Sequence, residues 1–361
     1  MSIKELLNQR KLPDLFTLPS GEKASDIRSW EQKMRPYWKN LLLEEEYGFF
    51  PEVLQPKVEK SEFYIDFGGK AVWENIIFTF ECNEKTCVIP TKLIYPKNAK
   101  NLPFCICLDF FSECPSPYLP VEEIIDSGVG VFAVCYQDVT NDKDDFSSGI
   151  AGLFEENERK GNASGKIVYW SYMAMRMMDY LLTRKEANKN KIGVSGHSRL
   201  GKTALLTCAF DERFAFCIVN QSGCSGVALS RMVSGGAETL ADIYNKFPYW
   251  FCPNYSKYLN KESDLPFDQH CLLSLVAPRI VLVGAAQADL WADNLNQFLS
   301  CAAASGVWDL YQIKGFENIN SYPQDCGVFM GGNLGFYLRK GTHFLSRNDW
   351  QIYLKKINEI F

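Results

Sequence analysis

Six short runs, nearly all apolar and rich in Val and Ile, recur between residues 104 and 315. They are FCICLDFF (104–111), GVGVFAVCYQD (128–138), KIGVSG (191–196), FAFCIVNQSG (214–223), RIVLVGAA (279–286) and WDLYQIKG (308–315). Strands covered on both faces read this way, because neither side alternates with water. Between the second and third runs, IVYWSYMAMRMMDYLL places Trp170, Met173, Ala174, Met177, Met178 and Leu181 at helical spacing. That stripe predicts a helix packed on a sheet. Strand and helix in alternation predict an α/β fold, a three-layer sandwich around a mostly parallel central sheet. Upstream, AVWENIIFTFEC and TCVIPTKLIYP flank a charged turn and predict an antiparallel hairpin at the N-terminal edge. Residues 1–60 read as a helical extension of polar helix and loop. WKNLLLEEEY (38–47) is its clearest helix, ended by Gly48 to Pro51. No linker, repeat or low-complexity stretch divides residues 61–361, so one catalytic domain carrying this extension is expected.

The bulk numbers remove several functions. A net charge of -5 leaves no basic excess to neutralise phosphates, which argues against a nucleic-acid partner. No run of about 18 apolar residues exists to span a membrane. The start, MSIKELLNQRKLPDLF, lacks the apolar core of a signal peptide. Thirteen cysteines is an odd number, and they show neither CxxC nor zinc-ligand spacing. Cys105, Cys107, Cys135 and Cys217 fall inside the apolar runs and read as small buried hydrophobes. A reduced cytoplasmic setting with no metal or other cofactor is the expectation.

GHSRLGKT (Gly196–Thr203) satisfies two patterns. It fits the phosphate loop G-x-x-x-x-G-K-[ST], and it sets a serine two places after a glycine, as a hydrolase nucleophile turn does. Both belong between a strand and a helix, so local context does not choose. The turn comes late in the chain for a phosphate loop. The next strand ends in Asn220 and Gln221 rather than in an Asp to hold magnesium. A serine nucleophile needs a base, most often histidine, and the chain has three. His197 adjoins the serine, and neighbouring side chains on a sharp turn diverge. His270, in LPFDQHCLL, suits a structural hydrogen bond near a helix start. His343, in YLRKGTHFL, lies in a loop after the last apolar run. That is where an α/β-hydrolase carries its base, in the chain order Ser, Asp, His. The acid is then sought past a late strand, where RIVLVGAAQADLWAD offers Asp289 and Asp293. Asp289, nearer the strand end, is preferred; Asp293 can cap the following helix instead.

The turn departs from G-x-S-x-G, because Leu200 stands where the second glycine belongs and Gly201 follows it. GHSRLGKTAL, then NQSGCSGVALSR, FPYWFC, LPFDQH, APR and DLWAD, resembles the glucuronoyl esterase family of carbohydrate esterases, whose turn is G-x-S-R-x-G-K. The resemblance runs from about Glu45 to Trp350. It implies an α/β-hydrolase with Ser198 as nucleophile, His343 as base and Arg199 as an oxyanion donor, a role that a permanently charged guanidinium suits. It further implies that Lys202 contacts sugar hydroxyls, that Trp291 lines a uronate site, and that Glu238 turns towards the sugar. Many members carry the acid as Glu in a Q-E-S-G stretch. Here the stretch is Asn220-Gln221-Ser222-Gly223, and Asp289 matches the later position used by some bacterial relatives. The expected activity is hydrolysis of carbohydrate esters through an acyl-enzyme, with a uronate ester preferred over an acetyl ester of xylan. A phosphate-loop nucleotide binder and a non-catalytic sugar-binding relative are the readings from other classes.

Overall fold

The apolar runs lie side by side in a ten-stranded sheet. The computed structural model describes residues 1–154, 158–317, 320–323 and 325–361. Its strands are β1 (Lys57–Asp66), β2 (Ala71–Cys82), β3 (Lys85–Pro96), β4 (Leu102–Asp109), β5 (Gly130–Cys135), β6 (Ala187–His197), β7 (Phe216–Asn220), β8 (Ile280–Ala286), β9 (Gly327–Phe329) and β10 (Leu334–Arg339). Across the sheet they run β1-β2-β3-β5-β4-β6-β7-β8-β10-β9. The stretch from β5 to β10 is parallel throughout, and antiparallel strands flank it at both edges. β5, β7 and β8 are buried at every position, the physical counterpart of their unbroken apolar sequences. The hairpin of β2 and β3 turns at Asn83 and Glu84, both at positive φ, as a tight two-residue turn requires.

The methionine stripe forms the helix Lys166–Leu181, whose predicted face is fully buried and which packs against the helix Arg199–Phe210. One expected strand is absent. WDLYQIKG instead forms a short helix, Gly306–Leu310, and then a turn in which Gln312 takes φ +58°. Trp308 anchors it, buried and donating its indole N–H to the Arg279 carbonyl at 3.0 Å. The place beside β8 is filled by LGFYLR of β10, buried at all six positions. An eight-residue run containing Trp, Tyr and Ile suits helix or strand, and the better-covered competitor takes the sheet.

The helix expected at 38–47 runs over Arg35–Leu42 and continues in a wider turn, Leu43–Tyr47. Gly48 ends it at φ +86°, where a Cβ would stand 2.3 Å from the Ala163 carbonyl oxygen. Trp30, Met34, Trp38, Leu42 and Tyr47 join the same core as the sheet. Arg35 donates to the carbonyls of Leu275 (2.6 Å) and Ala277 (2.5 Å). Among the described residues no helix is long and apolar enough to cross a membrane, and no His/Cys/Asp/Glu cluster could hold a metal ion.

This N-terminal packing buries a carboxyl completely. Glu46 accepts from Gln269 Nε2 at 3.0 and 3.1 Å, and burial pushes its pKa up to about 8. The unfolded chain releases that proton near 4.5, so the contribution is whole below 4.5 and is lost as pH rises through about 8. Replacement by a neutral isostere removes the dependence. Thermal melts of Glu46→Gln are therefore expected to fall less between pH 5 and pH 9 than those of the wild type, by a few degrees. Identical slopes in the two proteins would show that Glu46 does not titrate in this range.

Candidate active site

In a parallel sheet all carboxyl ends share one edge, and open α/β sheets build their sites there. Ser198 follows β6, Gln221 follows β7, Asp289 follows β8 and His343 follows β10. Main-chain bonds stitch these four loops together in order. Ser198 N–H donates to Asn220 O (2.9 Å), and Gln221 N–H to Gly284 O (2.7 Å). Gln287 N–H donates to Arg339 O (2.8 Å), and Ala288 N–H to Gly341 O (3.0 Å). Residues far apart in sequence thereby share one rigid rim.

Ser198 stands on a sharp turn between β6 and the helix Arg199–Phe210, at φ +58°, ψ −125°. A serine at this φ/ψ is strained, and such strain is held only where the surroundings impose it. The first glycine is required by sterics, since a Cβ on Gly196 would lie 2.0 Å from the Leu200 carbonyl oxygen. Gly201 faces the end of β7, with Asn220 O 3.1 Å from where its Cβ would be. Leu200 is fully buried. The turn therefore needs room at position 201, while position 200 serves the core.

His343 Nδ1 lies 2.6 Å from Asp289 Oδ2. Asp289 is buried, whereas the His343 side chain is 43% exposed, so the imidazole reaches from a buried carboxylate into the open site. A carboxylate on Nδ1 leaves Nε2 as the basic nitrogen, the tautomer that general-base work requires. Asp293 is engaged elsewhere. It accepts from Ser234 N–H (2.8 Å), Ser234 Oγ–H (2.6 Å) and Asn296 N–H (3.1 Å), capping the helix Asn294–Ala304.

The other two histidines have different partners. His197 is buried, and its Nδ1 lies 2.7 Å from Asn220 Oδ1, while Asn220 Nδ2–H donates to Tyr353 Oη at 2.9 Å. That network assigns the proton to His197 Nδ1. Burial, then the neighbouring His343, pushes its pKa down to about 3, so His197 stays neutral. The two rings are 4.4 Å apart. His270 is buried with Nε2 2.9 Å from Pro13 O.

Arg199 pairs with Asp142 and lies over the Trp250 ring, 4.7 Å from its centroid. Asp142 also accepts from Trp250 Nε1–H (2.7 Å) and Tyr136 Oη–H (3.0 Å). Arg199 Nε–H is buried and finds no partner among the described residues. The anchor was not visible in sequence. Asp142 sits in TNDKDD, which reads as a polar surface loop, and only the fold brings it to Arg199.

The groups that imitate a phosphate loop are occupied. Lys202 is buried and donates to the carbonyls of Ser222 and Cys224, the latter at 2.6 Å. Thr203 Oγ1 donates to Arg199 O at 3.0 Å. Burial lowers the Lys202 pKa, with Glu238 opposing, and burial raises that of Glu238, opposed by Lys202 and the Trp291 indole. Glu238 N–H donates to Trp291 O at 3.0 Å, and the Trp291 ring is half exposed at the rim. Ser222 to Ser225, the segment Lys202 supports, also receives Tyr47 Oη–H on Ser225 O at 3.0 Å.

A parallel sheet, a serine on a strained strand-to-helix turn and a late His–Asp pair define an α/β-hydrolase. The family described as "Glucuronyl esterase, fungi" matches residues 78–311. The chain belongs to the glucuronyl esterase family, a family of carboxylic-ester hydrolases. Among its relatives, Carbohydrate esterase MZ0003 from an unknown prokaryotic organism is 29% identical, covering 95% of this chain and 88% of the relative. The 4-O-methyl-glucuronoyl methylesterase 1 of Wolfiporia cocos is 27% identical over 86% of this chain and 74% of its own. The structure of the glucuronoyl esterase from Solibacter usitatus superposes with a TM-score of 0.90 at 30% identity, covering 96% and 97% of the two chains.

Proposed function

We propose that this chain hydrolyses esters of a carbohydrate uronic acid by a serine acyl-enzyme route. The observation that carries the reading is the 2.6 Å pair of His343 and Asp289 on the same sheet edge as the strained Ser198 turn. Ser198 Oγ attacks the ester carbonyl while His343 Nε2 takes its proton, and Asp289 stabilises the imidazolium that forms. The negative oxygen is met by Arg199 and main-chain N–H groups, donors fixed before charge develops. His343 returns the proton to the leaving alcohol. Water, deprotonated by His343, then cleaves the acyl-enzyme and frees the uronic acid.

The relatives named as 4-O-methyl-glucuronoyl methylesterases support the uronate as the acyl part. On this reading Trp291 offers a ring face to the sugar, and Lys202 and Glu238 supply the polar floor beside it. Lys202 spends two of its three ammonium hydrogens on carbonyls, so its contribution to sugar binding is one hydrogen bond and the shape of the 222–225 segment. The test is a comparison of methyl glucuronate with an acetylated xylo-oligosaccharide. Faster turnover of the uronate ester is expected, with Trp291→Ala raising its KM. Preference for the acetyl ester would reverse the assignment of acyl and alcohol sides.

A further inference from the structure

His343 sits in a loop whose residues 341–344 are all exposed, yet a base must hold its nitrogen to within a fraction of an ångström. Asp289 fixes the ring, but something must fix the main chain that carries it. Two buried side chains do so. Arg339 Nε donates to both Asp349 oxygens (2.8 and 2.9 Å), and its outer nitrogens donate to the carbonyls of Lys340 (2.9 Å), Thr342 (3.1 Å) and Phe344. Gln221, 1% exposed, forms a paired bridge to the residue after the histidine. Its Nε2–H donates to Phe344 O at 3.1 Å, and Phe344 N–H donates to its Oε1 at 3.0 Å.

A carboxamide donates and accepts at once in this spacing at any ordinary pH, imitating one rung of a sheet. Gln221 holds φ +47° at the end of β7, and its own N–H is spent on Gly284 O at 2.7 Å, so it is an unusually immobile post. On the reading of Ser198 and His343 given above, we propose that Gln221 is a positioning residue, whose carboxamide sets where the His343 imidazole stands relative to Ser198. Arg339 spans the loop from Lys340 to Phe344 and shares the Phe344 carbonyl with Gln221, so without the carboxamide the loop keeps its arginine and loses its hold on the Phe344 N–H beside the histidine.

The test uses the full-length enzyme with Gln221→Met and Gln221→Asn. Met keeps the side-chain length and loses donor and acceptor; Asn keeps the carboxamide but is one methylene too short to bridge Phe344. Each is expected to lower kcat, by about 10- to 100-fold for Met and less for Asn, with KM for methyl glucuronate and Tm near wild type. In a His343→Ala background the Met substitution is expected to cost nothing further, because the group it positions is gone. Wild-type kcat in either folded variant overturns the proposal. So does an equal fractional loss with and without His343, the result that a merely structural role predicts. Full activity of His343→Ala alone would instead overturn the triad reading, which separates the two failures.

Discussion

Ser198→Ala is expected to lose ester turnover by about 10⁵- to 10⁶-fold in kcat while remaining folded. Neither His197 nor Lys202, its neighbours on the turn, can replace the attacking oxygen. His197 is a buried neutral imidazole bonded to Asn220, and Lys202 is tied to two carbonyls. The backbone at φ +58°, ψ −125° strains alanine no more than serine, so Tm is expected at or slightly above the wild-type value. The measurements are steady-state hydrolysis of methyl glucuronate and a thermal melt. Retained turnover in a folded Ser198→Ala protein would remove the acyl-enzyme mechanism altogether.

The second large effect is at the acid. Asp289→Asn is expected to lower kcat by about 10⁴-fold with little change in KM. An amide in place of the carboxylate can donate to Nδ1, which puts the ring proton on Nε2, the nitrogen that must accept from Ser198. It also withdraws the negative charge that stabilises the imidazolium. Asp293→Asn is the informative partner. Asparagine can keep the oxygen that caps the helix but loses the one that accepts from Ser234 N–H, so a loss of about 1 kcal/mol in stability and an unchanged kcat are expected. If the two variants exchanged these effects, Asp293 would be the acid.

Much of this site can be read from local sequence because its chemistry is local. GHSRLGKT dictates the turn, since Gly196 has no room for a Cβ and Gly201 has little. The chain order of Ser, Asp and His follows from where parallel strands end. The eight-residue run WDLYQIKG misleads for the same local reason: its side chains suit two conformations, and what settles it is a distant strand, Leu334–Arg339, competing for the same place beside β8. Asp142, Gln221 and Arg339 carry no signal of their own. A polar loop residue, an amide after a strand and an arginine at a strand end are ordinary until the fold sets them against Arg199 and the His343 loop.

Sequence alone determined the layered α/β architecture, because hydrophobic periodicity is a property of neighbouring residues. It also narrowed the candidates to Ser198, His343 and one of two aspartates, Asp289 or Asp293. Only the tertiary structure decided that Asp289 rather than Asp293 faces His343, that Lys202 points into main-chain carbonyls instead of a phosphate, and that Glu46 lies buried against Gln269. Those outcomes depend on hydrogen bonds between residues tens to hundreds of positions apart. Their geometry is set by how the loops at the sheet edge meet, which no short stretch of the chain contains.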